Sequence, residues 1–191
     1  VSGLVLGAAY EVTKGPIAQT QAKQKQEACQ AVYPEADSFE AMDVDQKAAK
    51  EAIKKMGTNA TVDEVYSAVM DGSEAGYVIT VTDKDGYGGD IQITVGIMSD
   101  GTVNGISFLS ISETAGLGMK ADTEEFRGQF AGKQIFKDST FKSIAVVKHG
   151  KTAEGQDYVD GISGGTITSQ GVSKMLFDSL KGYEKFLTSK E

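Results

Sequence analysis

This chain of 191 residues predicts an α+β domain with a largely antiparallel, twisted sheet flanked by helices. Three observations predict it. Residues 62–70, 76–82, 91–98 and 102–111 alternate β-branched or aromatic residues with polar ones, the period of a half-buried strand. Ser99-Asp100-Gly101-Thr102 separates the last two runs. Asp-Gly fits the positive backbone angles of a two-residue turn, so neighbours there run antiparallel. Val172, Met175, Leu176, Leu180, Tyr183 and Leu187 recur at helical spacing near the end of the chain.

The elements follow in order. Residues 1–10 are apolar and uncharged, and the sequence starts at Val1 rather than Met. Spanning a bilayer takes about 20 such residues. Residues 1–12 are therefore read as the C-terminal part of a transmembrane helix that begins upstream. Tyr10 then falls at the interface, where aromatics gather, and Glu11 and Lys14 follow in water. The competing reading is the end of a signal-peptide core or a short buried segment.

Gly15-Pro16 marks a break, with Pro at a first helical position. Residues 17–32 are rich in Ala, Gln and Lys, which favour helix, but show no full apolar stripe. Residues 13–34 thus read as a helical stalk or a partner-binding segment, ended by Pro34. Residues 35–191 form the domain itself. Within it, 35–45 is acidic and patternless, a loop, and 46–56 is a short helix closed by Gly57. A short helix over 122–131 places Phe126 and Phe130 on one face; 143–148 is a further strand; the last helix runs to about residue 188.

Composition excludes several functions. The formal net charge is −8, which argues against nucleic acid as a partner. Cys29 is the only cysteine, so the chain has no internal disulfide and holds no iron–sulfur cluster alone. Cys29 reads as a small packed or partly exposed residue of the stalk. His149 is the only histidine, in a turn-like Lys-His-Gly-Lys stretch. Zinc-type catalysis and a Ser-His pair are poorly supported, and no catalytic acid, base or metal ligand is assigned. Asp63-Glu64 and Asp83-Lys84-Asp85 read as solvated turn or strand-edge groups.

The most informative stretch is Asp160-Gly161-Ile162-Ser163-Gly164-Gly165-Thr166-Ile167-Thr168-Ser169. Gly164 and Gly165 permit backbone angles closed to other residues and let a ligand approach the main chain. Thr168, Ser169 and Gln170 lead into the closing helix, where Ser or Thr is a normal cap. A glycine-rich turn feeding a helix N-terminus suits a phosphate. A plain surface turn before a capped helix has the same composition. No Gly-Lys-Ser/Thr follows, and the G-x-G-x-x-G pattern is absent.

Asp160-Gly-Ile-Ser163-Gly164-Gly165-Thr166 resembles the D-G-x-S/T-G-A-T signature of covalent FMN-binding domains. These occur in the G subunit of the Rnf electron-transport complex and in the C subunit of the sodium-translocating NADH:quinone oxidoreductase. Glu113-Thr114-Ala115-Gly116-Leu117-Gly118 resembles the family's E-T-P-G-L-G run, and Gly86-Tyr87-Gly88-Gly89-Asp90-Ile91 its G-Y-G-G-x-I run. The resemblance covers roughly residues 62–187, and chain length favours the Rnf G subunit.

The resemblance implies covalent FMN, its phosphate esterified to the hydroxyl of Thr166 by a separate Mg-dependent flavin transferase that takes FMN from FAD. Ser163, Gly164, Gly165 and Ser169 shape the phosphate turn. Asp160 is read by the transferase, orienting the turn or holding a metal during transfer. Thr114, Gly116, Leu117 and Gly118 lie against the isoalloxazine ring with Glu113 nearby, and Tyr87 approaches it. Two positions depart from the family: Gly165 stands where Ala is usual and Ala115 where Pro is usual. The first leaves the turn open; the second loosens the ring loop.

The implied function is electron transfer within a membrane complex that couples ferredoxin and NAD+ to Na+ or H+ movement. The domain would lie on the extracytoplasmic side of the cell membrane, anchored by a single-pass N-terminal helix. Its partners would be the other Rnf subunits, with no active site beyond the flavin. Two other classes compete: a stand-alone extracellular FMN-binding reductase, for which the chain has no room for a substrate domain, and a non-redox phosphate-ligand or interaction module.

Overall fold

Two Asp-Gly pairs shape the turns of the sheet, and they do so differently. The computed structural model describes residues 23–55, 57, 59–137, 140–165 and 168–174. Five strands form one sheet in chain order: β1 (Ser38–Met42), β2 (Thr61–Met70), β3 (Ser73–Asp83), β4 (Ile91–Met98) and β5 (Val103–Ser110). Every neighbour is antiparallel.

Between β2 and β3 only Asp71 and Gly72 intervene, at φ 51° and 72°, and Met70 pairs with Ser73. This is the two-residue turn whose twist matches the strands. The 99–101 connection, expected to be that turn, is a three-residue one. Gly101 has a φ of 83°. Gly101 N–H donates to Met98 O at 2.9 Å, and Met98 N–H donates to Thr102 O at 2.8 Å. Asp100 uses its carboxylate to accept Thr102 N–H at 2.9 Å. The predicted hairpin stands with a different turn.

Residues 35–45, expected as loop, contain β1, whose Phe39 lies opposite Ala68 of β2. β1 is an edge strand with one partner and no fully buried residue. Its order comes from pairing, not from an apolar face legible in sequence.

β3 and β4 are buried almost continuously, because both faces of the sheet are covered. On one face Val65, Ile79, Val81, Ile93 and Val95 join Ile53 of α2 (Gln46–Lys55), Phe126, Phe130, Ile135 and Val172 in the main core. The helix expected over 122–131 is two shorter pieces, a 3₁₀ helix (Gly118–Asp122) and α3 (Glu124–Arg127). Thr123 divides them in an extended conformation and accepts Phe126 N–H with its side chain.

The opposite face carries α1, helical over 23–32 among the described residues. Cys29, Val32 and Tyr33 pack there against Ala68 and Val78, so the last turn of the expected stalk helix does have a buried face. Gly96 makes that packing possible, since a Cβ on it would stand 2.3 Å from the Val32 carbonyl oxygen.

Burial, then the charge of Glu64, pushes the Cys29 thiol from 9.0 up to about 11, and the same two causes push the Tyr66 phenol up to about 12. The folded chain therefore keeps protons that the unfolded chain releases. This stabilisation is complete below about pH 9 and is lost as pH rises through about 11. The urea midpoint is expected to be lower at about pH 10 than at about pH 8. At the lower pH, Cys29 should react with a thiol reagent far more slowly folded than in urea. Equal rates would contradict its packing.

Phe136–Lys137 (β6) and Thr140–Phe141 (β7) form a short hairpin. The strand expected over 143–148 is Ala145–Val147 (β8), which pairs in parallel with Tyr158–Asp160 (β9), the one departure from antiparallel pairing among the described strands. α4 is helical over 168–174. The expected continuation to residue 188 and the expected membrane segment 1–12 lie outside the described residues. Among the described residues no helix is long and apolar enough to cross a membrane.

Two acidic groups expected in solvent are structural instead. Asp83 is buried and accepts Asp85 N–H at 2.9 Å. Asp63, at a bulge in β2, accepts the Thr82 hydroxyl at 2.5 Å and the Gln92 amide at 2.8 Å.

Candidate functional site

At the end of the sheet where β3 ends, β4 begins and β5 ends, three glycine-rich segments distant in sequence meet: 86–89, 113–118 and 161–165. Glu113 links them. Its Oε1 accepts Gly88 N–H at 3.2 Å, and its Oε2 accepts the Thr168 hydroxyl at 3.3 Å. Gly118 lies inside this junction. A Cβ there would be 2.7 Å from both the Glu113 Cβ and the Thr168 Oγ1.

The turn over 162–165 is closed from both sides. Gly165 N–H donates to Ile162 O at 2.9 Å. Ser169 Oγ accepts Ile162 N–H at 2.9 Å and donates to Gly165 O at 2.9 Å. Gly164 has a φ of 76°, and a Cβ on it would sit 2.7 Å from the Leu117 Cδ2. Leu117 of the second segment thus lies directly against the turn of the third.

The predicted site residues divide by exposure. Ser163, Gly164, Thr114, Gly116 and Leu117 are exposed, whereas Glu113, Gly118, Gly165 and Ser169 are buried, as is Thr168, which was not among them. The exposed group offers surface to a ligand, and the buried group holds that surface in shape. Thr166 and Ile167 lie outside the described residues.

The two departures from the family pattern have local consequences. An Ala Cβ at 165 would be 3.0 Å from the Ile162 Cγ2, so Gly165 relieves a tight contact without opening the turn's hydrogen bonds. Around Ala115, Leu117 N–H and Met119 N–H both donate to Thr114 O, at 3.1 and 3.2 Å. Hydrogen bonds supply constraint where Pro is missing.

The acidic pair near the turn divides likewise. Asp157 accepts Gln134 N–H at 2.9 Å, a framework role. Asp160 has its backbone N–H bound to Gln129 Oε1 at 2.6 Å, and its Oδ2 lies 2.8 Å from Nδ1 of the exposed His149. Asp160 is thus held at the backbone and partly open at the side chain.

Sequence reasoning read Thr168 only as a cap and missed Gln129. The signal for Thr168 was present: a second hydroxyl two positions after Thr166. Gln129 had none. Tyr87, between two glycines, is 75% exposed.

The residues present fit a flavin mononucleotide. The exposed turn at 163–164 permits close backbone approach to a phosphate. Beside it, Thr114 to Leu117 form an open ledge on which a Cβ at Gly116 would meet no atom within 4 Å. A separate cavity of about 270 Å³ lies on the α1 face, lined by Cys29, Tyr66, Thr80 and Thr94 among others, and shares no residue with these segments.

Residues 86–181 match the FMN-binding domain family. The chain is 33% identical over 187 residues to the G subunit of the Na(+)-translocating ferredoxin:NAD(+) oxidoreductase complex of Acetobacterium woodii, covering 96% of this chain and 86% of that protein. It is 28% identical over 190 residues to the G subunit of the proton-translocating ferredoxin:NAD(+) oxidoreductase complex of Clostridium ljungdahlii, covering 100% and 88%. The crystal structure of the C subunit of the Na(+)-translocating NADH-quinone reductase from Parabacteroides distasonis superposes with a TM-score of 0.63 at 38% identity, covering 82% of this chain and 80% of that one.

Proposed function

Because the chain belongs to the FMN-binding domain family, with the G subunits of ferredoxin:NAD+ oxidoreductase complexes among its relatives, we propose that it is the electron-transfer subunit of such a complex and carries FMN through a phosphoester to Thr166. The observation that carries this reading is the meeting of the three glycine-rich segments. Glu113 ties the first and second to α4, and Leu117 packs on the turn that leads directly into Thr166.

In this reading the flavin supplies the redox chemistry, and the chain supplies placement. Ser163 and Gly164 receive the phosphate, and Thr114, Gly116 and Leu117 support the ring. The covalent bond prevents the cofactor from dissociating between partners. Asp160, pinned at its backbone by Gln129, presents its carboxylate to the flavin transferase. Residues 1–12 anchor the domain to the membrane on its extracytoplasmic side, and the partners are the other subunits of an Rnf-type complex that couples electron transfer to Na+ or H+ movement.

The test is the denatured protein from its native host. Yellow in-gel fluorescence surviving denaturation, with a matching mass increase on the peptide containing Thr166, is the expected result. An unmodified peptide overturns the attachment. Co-purification with other membrane subunits separates a complex component from a stand-alone reductase, which would migrate alone.

A further inference from the structure

Resting on the reading of this end of the sheet as a flavin site, we infer that Glu113 is a positioning residue that braces the ring loop and segment 86–89 against the start of α4, not a hydrogen-bond partner of the flavin. Both carboxylate oxygens are taken by the protein, one by Gly88 N–H and the other by the Thr168 hydroxyl. The residue is 9% exposed, and among the described residues it forms no ion pair.

A buried carboxylate without a cation is costly unless donors satisfy it. An apolar side chain would fill the space at lower cost, but it would leave the Gly88 N–H and the Thr168 hydroxyl without that acceptor. A forked acceptor is what spans the gap between segment 86–89 and the start of α4. The bare Cα of Gly118 leaves room for it, since any side chain there would stand 2.8 Å from the Glu113 Oε2. Thr168 stands two residues after Thr166, so the brace acts on the segment that carries the attachment hydroxyl.

Charge is not what the bracing needs. A glutamine can make the same span, its oxygen accepting from Gly88 N–H and its NH2 donating to the Thr168 hydroxyl oxygen. This separates a brace from an electrostatic role, and exchange at Gly88 in the flavin-free chain separates it from a direct flavin contact.

The experiment uses the full chain made without the transferase, then supplied with FAD, Mg2+ and the transferase. Flavin incorporation is followed by in-gel fluorescence, and amide hydrogen exchange at Gly88 is followed in the flavin-free chain. Glu113→Ala is expected to slow incorporation about tenfold or more, from the loss of two hydrogen bonds that orient the segment, and to speed exchange at Gly88. Glu113→Gln is expected to restore most of both. Parental incorporation in Glu113→Ala, or a Glu113→Gln variant as slow as Glu113→Ala, overturns the inference.

Thr168→Val removes only the α4 side of the brace and serves if Glu113→Ala does not fold. It should slow incorporation while leaving Gly88 protected, and a parental rate overturns the brace. If the parent chain accepts no flavin at all, the flavin reading has failed. Exchange at Gly88 then still decides whether Glu113 holds the segments together: unchanged exchange in Glu113→Ala would overturn it.

Discussion

Replacing Thr166 by valine is expected to yield a protein that keeps no flavin through denaturation, with the stability of the flavin-free chain changed by no more than about 0.5 kcal/mol. Valine keeps the β-branched shape of threonine and exchanges only the hydroxyl for a methyl group. A phosphoester needs that oxygen, so the fluorescent band and the mass increase should vanish together. Thr166→Ser, which restores a hydroxyl, should recover part of both. A band that persists in the valine variant would move the attachment elsewhere. Thr168 and Ser169 are poor alternatives, being buried and hydrogen-bonded within the protein. Ser163, exposed beside Gly164, would be the hydroxyl to test next.

Phe130→Ala should be the most damaging single change to the scaffold. Phe130 has no exposed surface. Its ring stands edge-on to Phe126 at 5.4 Å and 72°, in the core between the sheet and the segment holding α3. Truncating a buried phenylalanine costs about 3–5 kcal/mol, part transfer and part cavity. Against a typical total of about 5–15 kcal/mol, that leaves a marginal fold. Urea unfolding at neutral pH measures it. A loss below about 1 kcal/mol would mean that the site collapses around the missing ring. Phe130→Leu, which keeps most of the apolar volume, should cost markedly less.

Much of the sheet was legible because its strands carry their own evidence. β2, β3, β4 and β5 are rich in β-branched and aromatic residues, and an Asp-Gly pair stands in each of their three connections. The choice of tight turn was not settled by the dipeptide alone. Asp71 adopts a positive φ and Asp100 does not, because the connections differ in length. β1 was illegible because an edge strand with no buried residue has no alternation to display. The division at Thr123 was hidden because Phe126 and Phe130 are four apart in either case, and helical spacing cannot report a break upstream of them.

At the site, the glycine-rich runs were visible as motifs, and their convergence was not. Nothing in the order of residues says that Glu113 reaches both Gly88 and Thr168. That follows from the end of β3, the start of β4 and the end of β5 lying side by side. Gln129, which follows α3 and pins the Asp160 backbone, has no signature, since an amide binding backbone looks like any surface glutamine until its partner is located.

The nearest-neighbour order of the five strands carries a consequence for how the chain folds. Each strand pairs with the one before it in sequence, so chain-closure entropy stays small and backbone pairing can begin locally. The core face of that sheet is completed only by Phe130, Val159 and Val172, so its side chains cannot lock before the C-terminal third has joined them.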